Sequence, residues 1–299
     1  MEPSQGNAQR IALPVSIAAA FGACLAVLVT ALGVRMIEKN NLPPAMGMDF
    51  GYQNPPSCNV MGFQVHGEIV QSRASVPPEM MVPIAQSDGS TFLATPNYSI
   101  ANELVDSIRL AASDETIKGI IIDIDSPGGG VVSGQELADV VRRSGKPSVA
   151  VIHELGASAG YLVASAAETV FAGRNSSIGS IGVTMSYLDQ VEKNKKDGYT
   201  YQVLSSGRFK DSGSPDKTLT QDEKELFMRD VKLAHEHFVD LVSQYRSLPK
   251  EEVAKIADGS TVMGDAALSL RLIDQIGNLS DAIIHLENRL GEPVSICWR

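Results

Sequence analysis

The sequence has 299 residues, of which 43% are hydrophobic, and a formal net charge of -10 with a pI near 5.0. This length allows one large domain or two small ones, each with a sizeable core. The acidic balance argues against nucleic acid as a partner, because phosphate binding requires a basic surface. Three scattered cysteines are too few for a disulfide framework or a structural zinc site, and a Cys58–Cys297 bridge is disfavoured.

A membrane anchor is predicted near the start of the chain. Residues 11–34 form an uncharged apolar run between Arg10 and Arg35, after a short tail at 1–10. As a helix this run reaches about 36 Å, which is enough to cross a hydrocarbon core of about 30 Å. It is longer than the apolar part of a cleaved signal peptide. A lipoprotein signal ending at Cys24 is the rival interpretation, and the flanking charges do not decide the orientation.

The residues after the anchor divide into a linker, a large domain and a tail. Residues 35–60 are rich in Pro, Gly and Asn and predict a linker, 61–290 the folded domain, and 291–299 a C-terminal tail. Phe63–Val70 predicts the first strand. Five prolines and glycines within 71–98 predict a long exposed loop.

Strands and helices then alternate. A helix is predicted over 99–113, followed by "GIIIDID" at 119–125 and "PSVAVIH" at 147–153, both typical of strands buried on two faces. A helix follows each of these strands, and "TVFAG" predicts another short strand. Beyond Pro215, a capping box at Thr220 and Glu223 begins a long amphipathic helix. This alternation predicts an α/β fold.

Two stretches could contribute to catalysis. "DSPGGG", residues 125–130, follows a buried strand, and its uncovered backbone N–H groups could stabilise a negatively charged oxygen. In "HELGASAGYLVASAA", residues 153–167, Ser158 lies where a helix should begin. There its hydroxyl could act as a nucleophile and the Ala159 N–H could help to hold an oxyanion. Taken alone, each stretch is better explained as a flexible turn or as small-residue packing.

A nucleophilic serine needs a base. None of the five histidines is suitably placed, because His66 and His153 lie in strands and His235, His237 and His285 lie in helices. Lysine is the other known base for serine, provided that desolvation favours its neutral form. Chemistry alone does not choose among Lys195, Lys210 and Lys217.

Four motifs in order resemble the signal peptide peptidase A (SppA) family of serine–lysine membrane peptidases. They are "DIDSPGGG", "GASAGYLVASAAETVFAGRNSSIGSIGV", "SSGRFKDSGSP" and "DGSTVMGDAALSLRLIDQIGNLSDAI", and the resemblance covers roughly residues 61–290. It implies that Ser158 is the nucleophile, Lys210 the general base and Ser180 the residue that orients the lysine. Gly128 or Gly129, together with Ala159, would supply the oxyanion-hole amides. The family usually has glycine where this chain has Ala159.

The resemblance further implies the crotonase/Clp-protease-like α/β superhelix. It also implies a homo-oligomeric ring in which neighbouring subunits share each serine–lysine pair, and activity without metal or cofactor. The expected location is the cytoplasmic membrane, with a single span and the catalytic domain on the extracytoplasmic side, and the expected substrates are cleaved signal peptides and other apolar peptides. Alternatives are a peptidase of the same type that cuts a stomatin-like membrane protein, a Clp-type Ser-His-Asp peptidase, a crotonase-type acyl-CoA enzyme and a catalytically idle membrane scaffold.

Overall fold

The computed structural model of the protein describes residues 58–85, 91–95 and 97–299. The predicted anchor at 11–34 lies outside these residues. Within them, no helix combines the length and the hydropathy that a membrane crossing requires.

A parallel sheet forms the centre of the described domain. Its main path has the order β10-β7-β6-β5-β1-β11, and every neighbouring pair along that path is parallel. These strands are β1 (Val60–Val70), β5 (Gly119–Gly129), β6 (Ser148–Ala157), β7 (Thr169–Ala172), β10 (Gln275–Ile276) and β11 (Ile296–Trp298). Short β4 (Tyr98–Ile100) pairs with β1, β8 (Ser177–Gly179) pairs with β6, and β9 (Thr261–Met263) pairs antiparallel with β8.

Helices connect and cover the strands, as the alternating pattern predicted. They are α1 (Ala101–Ser113), α2 (Val131–Arg143), α3 (Ala159–Ser165), α4 (Val191–Lys196), α5 (Gln221–Arg246), α6 (Lys250–Ile256), α7 (Gly264–Ser269) and α8 (Leu279–Leu290). The predicted capping box begins α5, with the Thr220 side chain accepting from the Glu223 amide. Parallel strands with helical crossovers confirm the α/β class.

The two faces of the sheet have separate apolar cores. Alternate residues of β5 point to opposite faces, so that Ile120, Ile122 and Ile124 join the larger core with α1, α2 and α3. Ile121 joins the smaller core, where α8 contributes Leu286. The continuous isoleucine run is therefore explained by burial on both faces.

The segment predicted as a loop, 71–98, has more structure than expected. It contains two 3-10 turns and an antiparallel pair formed by β2 (Val82–Ala85) and β3 (Thr91–Ala94). Prolines at 77 and 78 flank or begin a 3-10 turn, so proline content alone was misleading about this segment.

The structure also corrects the interpretation of the cysteines. Cys58 and Cys297 form a disulfide with a Cα–Cα distance of 5.7 Å. Strand β11 pairs with the start of β1, and Cys297 lies opposite Met61, which brings the two cysteines together across 239 positions of sequence. The spacing of cysteines in a sequence gives no information on such a long-range pairing.

Candidate active site

Ser158 occupies a strained turn between β6 and α3. Its backbone has φ 53° and ψ -124°, in the left-handed half of conformational space that non-glycine residues rarely adopt. The Ser158 N–H donates to the Gly179 carbonyl at 2.7 Å, and the Ser158 carbonyl accepts from the Leu162 N–H at 3.0 Å. Strain of this kind persists where the surrounding structure fixes the residue, and it concentrates at functional sites.

The glycine loop at the end of β5 packs directly against this serine. Gly128 has φ 100°, and a Cβ added there would lie 2.7 Å from Ser158 Cβ and 2.8 Å from Ala159 N. Gly129 has φ 154°, and a Cβ there would meet the Ile69 carbonyl oxygen at 2.1 Å. Only glycine fits both positions, so the backbone of this loop comes close to the serine without any side chain between them.

Two backbone amides, those of Ala159 and Gly128, lie close to Ser158. Ala159 supplies the first N–H of α3, which has no acceptor within its own helix. The Gly128 N–H donates to Ser126 Oγ at 3.1 Å in this structure. The Ser126 hydroxyl in turn donates to the Gly67 carbonyl at 2.6 Å, which ties the loop to β1.

The methyl group of Ala159 has its own complementary space. A Cβ on Gly134 of helix α2 would lie 2.6 Å from the Ala159 Cβ. The absence of a side chain at 134 therefore accommodates the alanine, and the methyl group packs against α2.

An apolar groove opens beside Ser158. It has a volume of about 220 Å³ and lies between the start of α2, α3 and α5. Its apolar walls are Val131, Val132, Leu162, Val183, Phe238 and Leu241. Gln135 and His237 are its polar lining residues apart from Ser158. Such a groove suits an extended apolar side chain next to a nucleophile.

The three candidate lysines differ in their partners. Lys195 Nζ pairs with Glu192 at 2.7 Å, and Lys217 Nζ pairs with Glu223 at 2.7 Å and Asp211 at 3.1 Å. These carboxylates raise the pKa of both lysines and hold them protonated, which makes them poor bases. Within the described part of the chain, no carboxylate contacts the Lys210 ammonium.

Lys210 does not line the groove of Ser158 in the same chain. It is exposed, as is every residue from 195 to 210. The turn that carries Lys210 is nevertheless held in place by the next residue, Asp211. Its carboxylate accepts a hydrogen bond from the Tyr201 hydroxyl at 2.7 Å and pairs with Lys217. The turn presents Lys210 outward.

Ser180 is adjacent to Gly179, whose carbonyl accepts a hydrogen bond from the Ser158 N–H. It has φ 50°, its N–H donates to the Ser260 carbonyl at 2.8 Å, and its hydroxyl donates to the Gly259 carbonyl at 2.9 Å. A hydroxyl oxygen that donates one bond still has lone pairs with which to accept another. Ser180 Oγ could therefore accept a hydrogen bond from an incoming ammonium group.

Comparison with known proteins identifies the family. The model of peptidase family S49 matches residues 141–291, which include Ser158, Ser180 and Lys210. The chain belongs to peptidase family S49. The Clp protease model matches residues 86–180, which include the glycine loop and Ser158 and agree with the parallel sheet. The fold is accordingly the Clp-protease-like α/β fold.

Several curated proteins are similar to this one over more than half of its chain. A protein of Methanocaldococcus jannaschii is 34% identical over 176 residues, covering 58% of this chain and 57% of its own. The SppA homologue of Enterococcus faecium is 30% identical over 68% of this chain and 60% of its own. The chloroplast serine protease SPPA of Arabidopsis thaliana is also 30% identical, over 68% of this chain and 31% of its own. The chain thus spans less than two thirds of the length of these relatives. A ClpP1 mutant from Listeria monocytogenes aligns with a TM-score of 0.45 at 17% identity over 74% of this chain and 92% of that one, a value too low to decide the fold.

This S49 chain also holds a polar cluster that the sequence did not reveal. Buried Asp123 on β5 contacts His66 on β1, with Nε2 3.0 Å from Oδ2, and His153 on β6 through its other carboxylate oxygen. The carboxylate can accept a hydrogen bond from each ring nitrogen that carries a hydrogen. The signal in the sequence was the unexplained Asp123 within the isoleucine run. The cluster ties together the three strands that lead to Ile69, Gly128 and Ser158.

Proposed function

We propose that the protein is a membrane-anchored serine endopeptidase that hydrolyses signal peptides and other apolar peptides through Ser158 and Lys210. The supporting observation is the strained Ser158 turn, which places a hydroxyl against a side-chain-free glycine loop and opens into an apolar groove. Membership of family S49 supports peptidase chemistry.

In the proposed reaction these groups act as follows. Ser158 Oγ attacks the carbonyl carbon of the scissile peptide bond while neutral Lys210 Nζ takes the hydroxyl proton. The negative charge forms on the carbonyl oxygen, where the Ala159 N–H and an amide of Gly128 or Gly129 donate to it. Lys210 then gives its proton to the leaving amine as the peptide C–N bond breaks. The neutral Lys210 amine next takes a proton from a water molecule, which hydrolyses the acyl ester and frees the Ser158 hydroxyl. Donation from Gly128 would require its N–H to turn from Ser126 Oγ.

The lysine is proposed to come from a neighbouring copy of the chain. Lys210 is exposed and does not line the groove of its own chain. Residues 185–204, which precede it, expose large apolar side chains. Those that are more than half exposed are Met185, Leu188, Tyr199, Val203 and Leu204. Apolar exposure on this scale is typical of a surface that another protein covers. Contact with the neighbour would also desolvate the ammonium and favour its neutral form.

The proposed location is the extracytoplasmic side of the cytoplasmic membrane, with residues 11–34 as the single span. The Cys58–Cys297 disulfide supports it, because disulfides persist in oxidising compartments and are rare in the cytosol.

One assay on detergent-solubilised protein tests the dyad. An apolar fluorogenic peptide should be cleaved by the wild type and by the Lys195→Ala control, but not by Ser158→Ala or Lys210→Ala. Retained activity in Lys210→Ala together with loss in His237→Gln would overturn the lysine as base in favour of a Clp-type serine–histidine pair. No turnover by any form would favour the idle scaffold.

Mixing the two inactive variants tests whether subunits share the site. If serine and lysine come from different copies, random assembly of equal amounts should give about a quarter of the wild-type sites, because each site needs an intact residue from each of two subunits. No recovery after co-assembly would show that each site is built within one chain.

A further inference from the structure

His237 is the ionisable side chain that lines the Ser158 groove. It lies on α5 with Ala234, Phe238 and Leu241, whose spacing of three and four residues places all four on one face of the helix. Phe238 is buried, whereas His237 is exposed at the groove wall. The imidazole is therefore available to whatever occupies the groove.

A second histidine on the same helix shows the contrast. The ring of His235 is half-buried, and its Nε2 lies 2.9 Å from the Ala257 carbonyl oxygen, so its role is to hold α5 against the end of α6. Among the residues that the structure describes, none forms a hydrogen bond or ion pair with the His237 ring. One histidine has a structural partner and the other faces the groove.

Among its described lining residues, the groove contains no charged side chain that could compensate a protonated His237. The lining residues from α2, α3 and the chain at 182–183 are uncharged. On α5 itself the acidic neighbours are Glu236 and Asp240, of which Asp240 pairs with Lys250 at 2.5 Å. In an assembled site, Lys210 would be present as the neutral base. Imidazole is the side chain whose charge ordinarily changes between pH 5 and pH 8.

We infer that His237 is a specificity-determining residue that reads the charge of the substrate side chain beside the apolar one held in the groove. This inference rests on the proposed peptidase function. When protonated, His237 donates to an acidic substrate side chain and repels a basic one. When neutral, it tolerates both. Peptide selection would therefore turn towards acidic residues as the pH falls, although the groove itself remains apolar.

A competition assay tests this inference. Apolar fluorogenic peptides carry a single Gln, Glu or Lys, scanned over the three positions on each side of the scissile bond, and pairs are cleaved together from pH 8 to pH 5.5. The ratio of kcat/KM values within a pair cancels the titration of the catalytic base, which acts on both peptides. At one position the Glu/Lys ratio should rise about two- to fivefold as the pH falls, the range expected for a partly exposed ion pair.

Two variants locate the effect. His237→Gln should abolish the pH dependence of the ratio, and His235→Gln should retain it, with oligomer size and thermal unfolding checked for both. A ratio that stays constant with pH at every position in the wild type would overturn the inference while leaving the peptidase intact. So would a pH-dependent ratio that persists in His237→Gln. Absence of cleavage of every peptide, by contrast, would be a failure of the proposed function itself.

Discussion

The region around Ser158 and the region around Lys210 are built in opposite ways. Ser158 is enclosed by β5, β6 and α3, and a single added methyl group at Gly128 would collide with it. Lys210 lies in a stretch, 195–210, in which every residue is exposed. One half of the proposed dyad is thus preorganised within a single chain. The other half is presented to the outside, so under the proposed function the folding of one chain would not by itself complete the active site.

The largest effect is expected from breaking the preorganised half. Gly128→Ala should lower kcat/KM at least about 100-fold, because the methyl group forces apart the loop and the Ser158 turn and displaces an oxyanion donor. Peptide hydrolysis measured on correctly assembled protein checks this prediction.

Gly145→Ala is the matched control for this change. Gly145 also has a positive φ, 68°, but a Cβ there meets nothing within 4 Å. This variant should lose some stability and keep its activity. Equal activities of the two alanine variants would contradict the close approach of the glycine loop to the nucleophile.

The exposed half can be broken without disturbing the fold. The Leu204 side chain is fully exposed in the single chain, so Leu204→Asp should change the free energy of unfolding of a monomer by no more than about 0.5 kcal/mol. If this segment contacts a neighbouring copy, the same change should reduce the oligomer to smaller species and lower peptide hydrolysis in proportion, as measured by sedimentation and assay.

Leu110→Asp on α1 serves as its control, since Leu110 is also well exposed but lies outside the 195–210 segment. It should leave the oligomer unchanged. An unaltered oligomer in Leu204→Asp would argue that the apolar segment has another role.

The smallest effect concerns the start of α5, the helix that follows the Lys210 segment and lines the Ser158 groove. Glu223 at the start of α5 bonds Lys217 and the Thr220 N–H, which together lower the pKa of its carboxyl group to about 2. A depressed carboxyl pKa stabilises the fold above its unfolded value of about 4.5, and this contribution is lost as the pH falls towards 2. Glu223→Gln should therefore unfold at a lower temperature than the wild type at pH 7, by a margin that narrows below about pH 4.5.

Glu225→Gln, at an exposed position of the same helix turn, is the control and should unfold close to the wild-type temperature at pH 7. If the difference in unfolding temperature between Glu223→Gln and the wild type stayed constant down to pH 2, the ionised Glu223 carboxylate would contribute nothing to stability.

The sequence predicted those features that depend on local pattern. The isoleucine run in β5, the capping box at Thr220 and the helix that begins at Ser158 all appear where they were expected, because burial on two faces and helix ends have local signatures. The choice of Lys210 came from family resemblance. It stays a prediction, while Lys195 and Lys217 have carboxylate partners in the structure.

Features that depend on contacts between distant segments were missed. The Cys58–Cys297 pair, the His66–Asp123–His153 cluster and the position of His237 beside Ser158 each join residues from separate strands or helices. No periodicity within one segment reports such contacts, since they are set by strand order and by the way α5 folds back over α3.

The disulfide between Cys58 and Cys297 closes the folded domain into a covalent ring, with the whole exposed segment inside the loop. A single proteolytic nick anywhere in 195–210 would consequently leave two pieces that remain joined. Such a nicked molecule would migrate as one band on a gel without reductant and as two after reduction, so damage to the segment that bears Lys210 would stay hidden until the bridge was opened.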